Sequence, residues 1–279
     1  MQFKDAFMLA EKPDLTDVSG FAYPNPLQPV QPMLPHDWQT GFPDPASPLM
    51  AQLTTLNHLF LFVGGGVFIF VCLLLLWVLV RYSCRWHPVA RGAKDSPLLQ
   101  VAFAIMPSVL LVLMTIPALR LIWAEAMPPR ADMTVSVIGK AGGWTYDYLE
   151  NGDFRFDSQL LDAATARRYG QPYLFAADSP LVVPVGRVVA LQVTGADMVH
   201  VWSAPALGIS VSAVPGRINT VWFKPMREGL YYALCSEFCG ASRGGMPVAV
   251  KVVSDAEYRG WLSWAYQRYN DSAIAARPQ

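Results

Sequence analysis

One short segment, CSEFCGASRGGM at 235–246, holds Cys235, Cys239 and Met246. Two thiolates separated by three residues on a turn can bridge a soft metal, and a thioether shortly after them adds a weak axial donor. A second stretch, DMVHVW at 197–202, offers the imidazole of His200 at the end of a strand. Thiolate, imidazole and thioether together are the donor set that copper favours for electron transfer. Taken alone, the cysteine spacing is equally compatible with a short-loop disulfide or with two packed thiols. A solitary His200 is equally compatible with a structural histidine. The conjunction gives the metal reading its weight.

Positioning such donors requires strands. Beyond Pro129 the chain breaks into short β-rich runs bounded by turn residues: MTVSVIG, GGWTYDY, DFRFD, SPLVVPVG, RVVALQVTG, GISVSAV, NTVWFK, GLYYAL and PVAVKVV. This pattern predicts an all-β sandwich or barrel over 130–253, with a short helical detour from Asp162 to Tyr169. Ser254 and Glu257 have capping-box spacing, which predicts a C-terminal helix from there to about Tyr269 and a tail, together 254–279. On it, Trp261, Trp264 and Tyr266 read as packing residues.

The N-terminal part is of another kind. Only 15% of the 279 residues are charged and 53% are hydrophobic, and the mean hydropathy is positive; the simplest reading is a membrane protein. Leu56 to Val80 carries no charge and is long enough to span a bilayer. A second run from Leu98 to Trp123 is interrupted by Gln100, Pro107, Pro117 and Arg120. The expectation is a two-helix transmembrane hairpin within 51–125, with helices at about 56–81 and 98–123. The loop between them has Arg81, Arg85, Arg91 and Lys94 against Asp95, and short basic loops stay in the cytoplasm. Both termini and the β domain then face outward, on the periplasmic or intermembrane side of a bacterial or mitochondrial inner membrane. Residues 1–50 are proline-rich and predict an extended extracytoplasmic arm. The first apolar run begins too deep in the chain to read as a signal peptide. Zero net charge leaves no basic footprint for nucleic acid.

In these blocks the chain resembles subunit II of cytochrome c oxidase. The resemblance is carried by the hairpin, VVPVG at 182–186, DMVHVW, AVPGRIN at 213–219, GLYYALCSEFCG at 229–240 and MPVAV at 246–250. It implies a cupredoxin-like barrel with a dinuclear copper centre bridged by Cys235 and Cys239. One copper would also take His200 and Met246, the other the carbonyl of Glu237 and a second histidine. The Glu237 side chain would reach a magnesium or manganese ion at the border with subunit I. Implied partners are a haem-bearing subunit I, subunit III and further subunits, membrane lipid, and cytochrome c or quinol as the electron source.

The chain departs from that pattern in three places. Arg243 stands where the second histidine belongs, and guanidinium has no lone pair to donate at neutral pH. His36, His58 and His87 offer no replacement: they fall on the arm, at the helix entrance and on the cytoplasmic loop. Gly142 stands where the family's electron-accepting surface tryptophan belongs, leaving Trp144 and Tyr146 as candidates for an electron path. Gln100 stands where a glutamate marks the mouth of a proton path, and glutamine does not titrate. One copper ion, or none, is compatible with what remains.

The expected function is therefore subunit II of a terminal haem–copper oxidase, supporting electron transfer to subunit I for oxygen reduction coupled to proton transport, with an altered copper centre. The alternative is a metal-free scaffold in a quinol-type oxidase. A stand-alone tethered cupredoxin or copper carrier fits less well, because a tether needs only one helix. No catalytic residue is expected in this chain itself.

Overall fold

The computed structural model describes residues 32–33, 38–39, 41–83, 96–150, 153–168, 171–235 and 245–275. Glu237, Cys239, Arg243, His36, His87 and most of the basic loop lie outside the described residues.

Strand β1 is a two-residue piece, Pro32–Met33, and the first helix, α1, runs Pro48–Arg81. Its start lies eight residues before the predicted one, which corrects both the helix boundary and the end of the arm. The cause is local. Ser47 is an extended N-cap whose side chain accepts the Met50 amide at 3.0 Å, and Pro48 sits at the first helical position, where its missing N–H costs nothing. His58 consequently lies inside α1 rather than at its entrance. The second helix, α2 (Pro97–Ala126), also begins with a proline and carries Pro107 and Pro117 internally. At 1.5 Å per residue both helices exceed the roughly 30 Å apolar core of a bilayer. The surplus of α1 is used at its outer end, where Leu49 and Met50 are buried.

That end is fastened to the β domain. Ser47 donates its hydroxyl to the Leu207 carbonyl at 2.6 Å, Ala46 N–H donates to Ala206 O at 2.8 Å, and Met226 N–H donates to Ala46 O at 2.8 Å. Arg227 bonds the Pro45 carbonyl. The end of α2 is held too, by Trp222 Nε1 donating to Glu125 O at 2.9 Å.

The domain has two sheets and a ribbon. Strands β2 (Met133–Lys140), β3 (Gly143–Tyr148) and β4 (Phe154–Gln159) precede a short helix α3 (Ala163–Arg168). Then come β5 (Leu181–Pro184), β6 (Val189–Gly195), β7 (His200–Ala204), β8 (Ile209–Ala213), β9 (Asn219–Phe223), β10 (Gly229–Leu234) and β11 (Pro247–Val253). One sheet has the order β4-β3-β2-β6-β9, the other β1-β10-β11-β5, and β7 and β8 form the ribbon. β2 lies parallel to β6 from Met133↔Val189 to Gly139↔Gly195. Alternating burial along β2, β4 and β6 marks one face turned inward, and Val135, Val137, Leu191, Val193, Val248 and Val250 meet there.

Helix α4 (Asp255–Ala275) closes the barrel. Its start uses the capping box: the Glu257 amide donates to Ser254 Oγ at 3.2 Å while the Glu257 carboxylate accepts from the Ser254 amide at 3.4 Å. Trp261 packs among Tyr148, Phe154 and Tyr258 with ring centroids 5.2, 5.8 and 5.8 Å away. Tyr266 is 47% exposed and takes no part in that cluster.

Candidate metal centre

Three elements meet where the donors are. β7 begins at His200, which pairs with Ala213 of β8. Cys235 directly follows β10 and Met246 directly precedes β11, and the ladder of that hairpin ends with Leu234↔Pro247. One more backbone bond, Cys235 N–H to Met246 O at 3.0 Å, holds the two flanking residues together. The Val201 amide then donates to Cys235 Sγ at 3.4 Å, so the sulfur lies against the strand that begins at His200. Met246 and His200 are fully buried and Cys235 is half-buried. The sulfur of Cys235 is in a disulfide, its partner outside the described residues. Among the described residues no group of three or more His, Cys, Asp and Glu forms a metal cage; Glu237 and Cys239 are not among them.

His200 shows most about what the site can hold. Its Nε2 lies 2.7 Å from Asp197 Oδ1, while its Nδ1 is buried with no hydrogen-bond partner among the described residues. Buried polar atoms are nearly always partnered, so a sequestered ring nitrogen with nothing to bond fits a metal ligand better than a packing residue. The residues present fit copper: soft sulfur, imidazole and a buried thioether in one place. Asp197 was not foreseen from sequence, although its Asp-x-x-His spacing carried the signal. Partial burial of Asp197 opposes ionisation, but bonds from His200 and the amides of Met198 and Ala141 outweigh it and hold the carboxyl below its usual range.

Gly139 is the second residue that sequence reasoning missed. A Cβ there would lie 3.0 Å from the Trp144 ring and 3.1 Å from the His200 ring. Its absence lets both rings press on the β2 backbone. Trp144 and His200 meet edge to face with centroids 6.1 Å apart.

Trp144 and Tyr146 are both fully buried. The Tyr146 hydroxyl accepts from Trp202 Nε1 at 3.4 Å, and burial pushes its phenol above the usual range against the effect of that bond. Gly142 occupies the β2–β3 turn at φ +92°, a left-handed conformation that strains any side chain. A tryptophan there would need a different turn. Gln100 lies in the first turn of α2, its amide bonded to Ser96 O, far along the helix from the domain.

Comparison with known proteins agrees with this layout. Residues 133–253 match the family described as cytochrome C oxidase subunit II, periplasmic domain, and residues 35–121 match its transmembrane domain. The probable cytochrome c oxidase subunit 2 of Rickettsia bellii (strain RML369-C) is 32% identical over 229 residues, covering 82% of this chain and 85% of the relative. Cytochrome c oxidase subunit 2 of Cereibacter sphaeroides is 37% identical over 251 residues, covering 83% and 82%. Among solved structures, the periplasmic domain of subunit II of cytochrome oxidase of Bradyrhizobium japonicum is 42% identical over 51% of this chain and 99% of that one, with a TM-score of 0.47. Hairpin and β domain are matched in the same order, and the chain belongs to the cytochrome c oxidase subunit 2 family, as a membrane-anchored subunit of a terminal oxidase with its cupredoxin-like domain on the extracytoplasmic side.

Proposed function

We propose that this subunit passes electrons toward a haem-bearing neighbouring subunit through a single copper ion held by His200, Cys235, Cys239 and Met246. The family binds copper, and the observation that carries the reading to this chain is the buried Nδ1 of His200, which has no partner among the described residues. Copper there would supply a one-electron carrier. The chain's own residues do the rest: the ring of Trp144 packs against His200, and the Val201 amide orients the Cys235 sulfur. With Arg243 in place of an imidazole, a second copper would lack its only strong ligand besides sulfur, hence one ion. Cys235 is disulfide-bonded, and only a free thiolate can bind copper, so reduction must precede loading.

Glu237 is assigned by the same reading to a magnesium or manganese ion facing subunit I. Subunit III and further subunits complete the complex, in a bacterial or mitochondrial inner membrane. Gly142 removes the surface tryptophan, and the electron enters by Trp144 from a donor that is either cytochrome c or quinol.

Metal analysis and electron paramagnetic resonance on the purified complex, loaded after thiol reduction and then oxidised to the cupric state with ferricyanide, test the proposal. The expected result is one copper per chain with the hyperfine pattern of a single copper nucleus, lost in His200→Ala. Copper-free complex that turns over with quinol but not with reduced cytochrome c establishes the metal-free scaffold instead.

A further inference from the structure

The contacts of Asp197 are more specific than a surface carboxylate needs. Its Oδ1 accepts from the Met198 amide at 2.7 Å and meets His200 Nε2 at 2.7 Å. Its Oδ2 accepts from the Ala141 amide at 2.7 Å. Asp197 therefore touches the ring of His200 and the β2–β3 turn at once, with one oxygen for each.

An ionised carboxylate only accepts, so His200 must carry its proton on Nε2. In a neutral imidazole the other nitrogen then holds a lone pair. That nitrogen is Nδ1, the buried atom with no partner among the described residues. The opposite tautomer would set a lone pair against a carboxylate and bury an unbonded N–H, two unfavourable contacts in place of one good one.

We infer that Asp197 is a positioning residue: it locks His200 in the Nε2–H tautomer, presents Nδ1 as a ready-made metal donor, and ties that ring to the β2–β3 turn above it. The assignment deepens the copper reading and rests on it for the identity of the metal. The tautomer lock itself does not depend on copper. Gly139 borders the arrangement from the other side, where the Trp144 and His200 rings lie close against its Cα.

The test uses the full chain in detergent, reduced and copper-free, with ring-nitrogen-labelled histidine. The protein has four histidines, and His200→Ala identifies the signal of interest. Wild type should show Nε2 protonated and Nδ1 bare. Asp197→Ala should show mixed tautomers and, on titration with cuprous ion, an affinity lower by about 10–100-fold, the usual effect of losing such an outer-shell partner. Asp197→Asn keeps an oxygen for the ring but cannot accept from Ala141 as well, so it should restore the tautomer and much of the affinity. If Asp197→Ala does not fold, the wild-type spectrum and Asp197→Asn still decide the matter. A wild-type ring protonated on Nδ1, or an Asp197→Ala protein matching wild type in both tautomer and affinity, overturns the inference. A wild-type chain with the expected tautomer that takes up no copper instead removes the proposed function and leaves the positioning contact standing.

Discussion

Around Trp261 the barrel is closed by rings that satisfy one another, whereas around His200 it leaves polar atoms buried and unbonded. The two places are opposite ends of β3, Tyr148 at one and Trp144 at the other, roughly 13 Å apart at strand spacing. At the first, the Tyr148 hydroxyl donates to Val182 O at 2.8 Å and accepts the Val182 amide at 3.1 Å, and Phe156 and Tyr269 stack 4.9 Å apart. At the second, Trp144 Nε1, Ser158 Oγ and His200 Nδ1 have no partner among the described residues, and Ser158 is the cross-strand neighbour of Trp144. One end is built for stability. The other leaves hydrogen bonds unmade among the described residues, each of order 1 kcal/mol, where copper is proposed to sit.

Mutations at the two ends should therefore separate folding from metal uptake. The largest effect belongs to Trp261→Ala, which empties the aromatic end and should cost about 3–5 kcal/mol in denaturant unfolding while copper per folded chain stays at the wild-type value. Loss of copper from the folded variant would merge the two ends into one unit. Gly139→Ala comes next. Its new methyl meets both rings, and the overpacking should cost about 1–3 kcal/mol and lower copper affinity as well, so a variant that binds normally would show that the Trp144–His200 contact does not shape the site. Tyr148→Phe should lose about 1–2 kcal/mol with copper untouched, because it orphans the Val182 groups. Ser158→Ala should fall within about 0.5 kcal/mol of wild type or be more stable. A large loss there would mean that the hydroxyl is bonded after all, and the contrast would fail.

Much of this was legible in the sequence, for reasons that differ by region. The hairpin announces itself by composition, since lipid excludes charge over a whole helix. The strands announce themselves by period and by their turn residues. Cys235, Cys239 and Met246 could be named because they lie in one segment, and His200 because its neighbours matched a family. Ser47-Pro48 was a helix-start signal in plain view, yet the surrounding prolines argued for an arm; the bonds that decide it come from Leu207 and Ala206, far along the chain. Asp197 and Gly139 were harder. A carboxylate three residues before a histidine is common, and only the fold shows that one oxygen grips the ring while the other grips a turn. Nor can a string of letters show that Nδ1 is enclosed with no partner among the described residues.

The fastening of α1 to the turn after β7 carries a mechanical consequence. The strand that presents His200 runs straight into Pro205–Leu207, the short 3₁₀ turn on which Ser47 and Ala46 are anchored. No free linker separates the bilayer-crossing rod from the proposed copper ligand. The altitude of the ligand over the lipid is thus inherited from the helix, which acts as a fixed standoff. Electron hopping weakens steeply with separation, so if copper sits as proposed, this hydrogen-bonded bracket makes its distance from an acceptor in the membrane a property of the fold rather than of chance encounters.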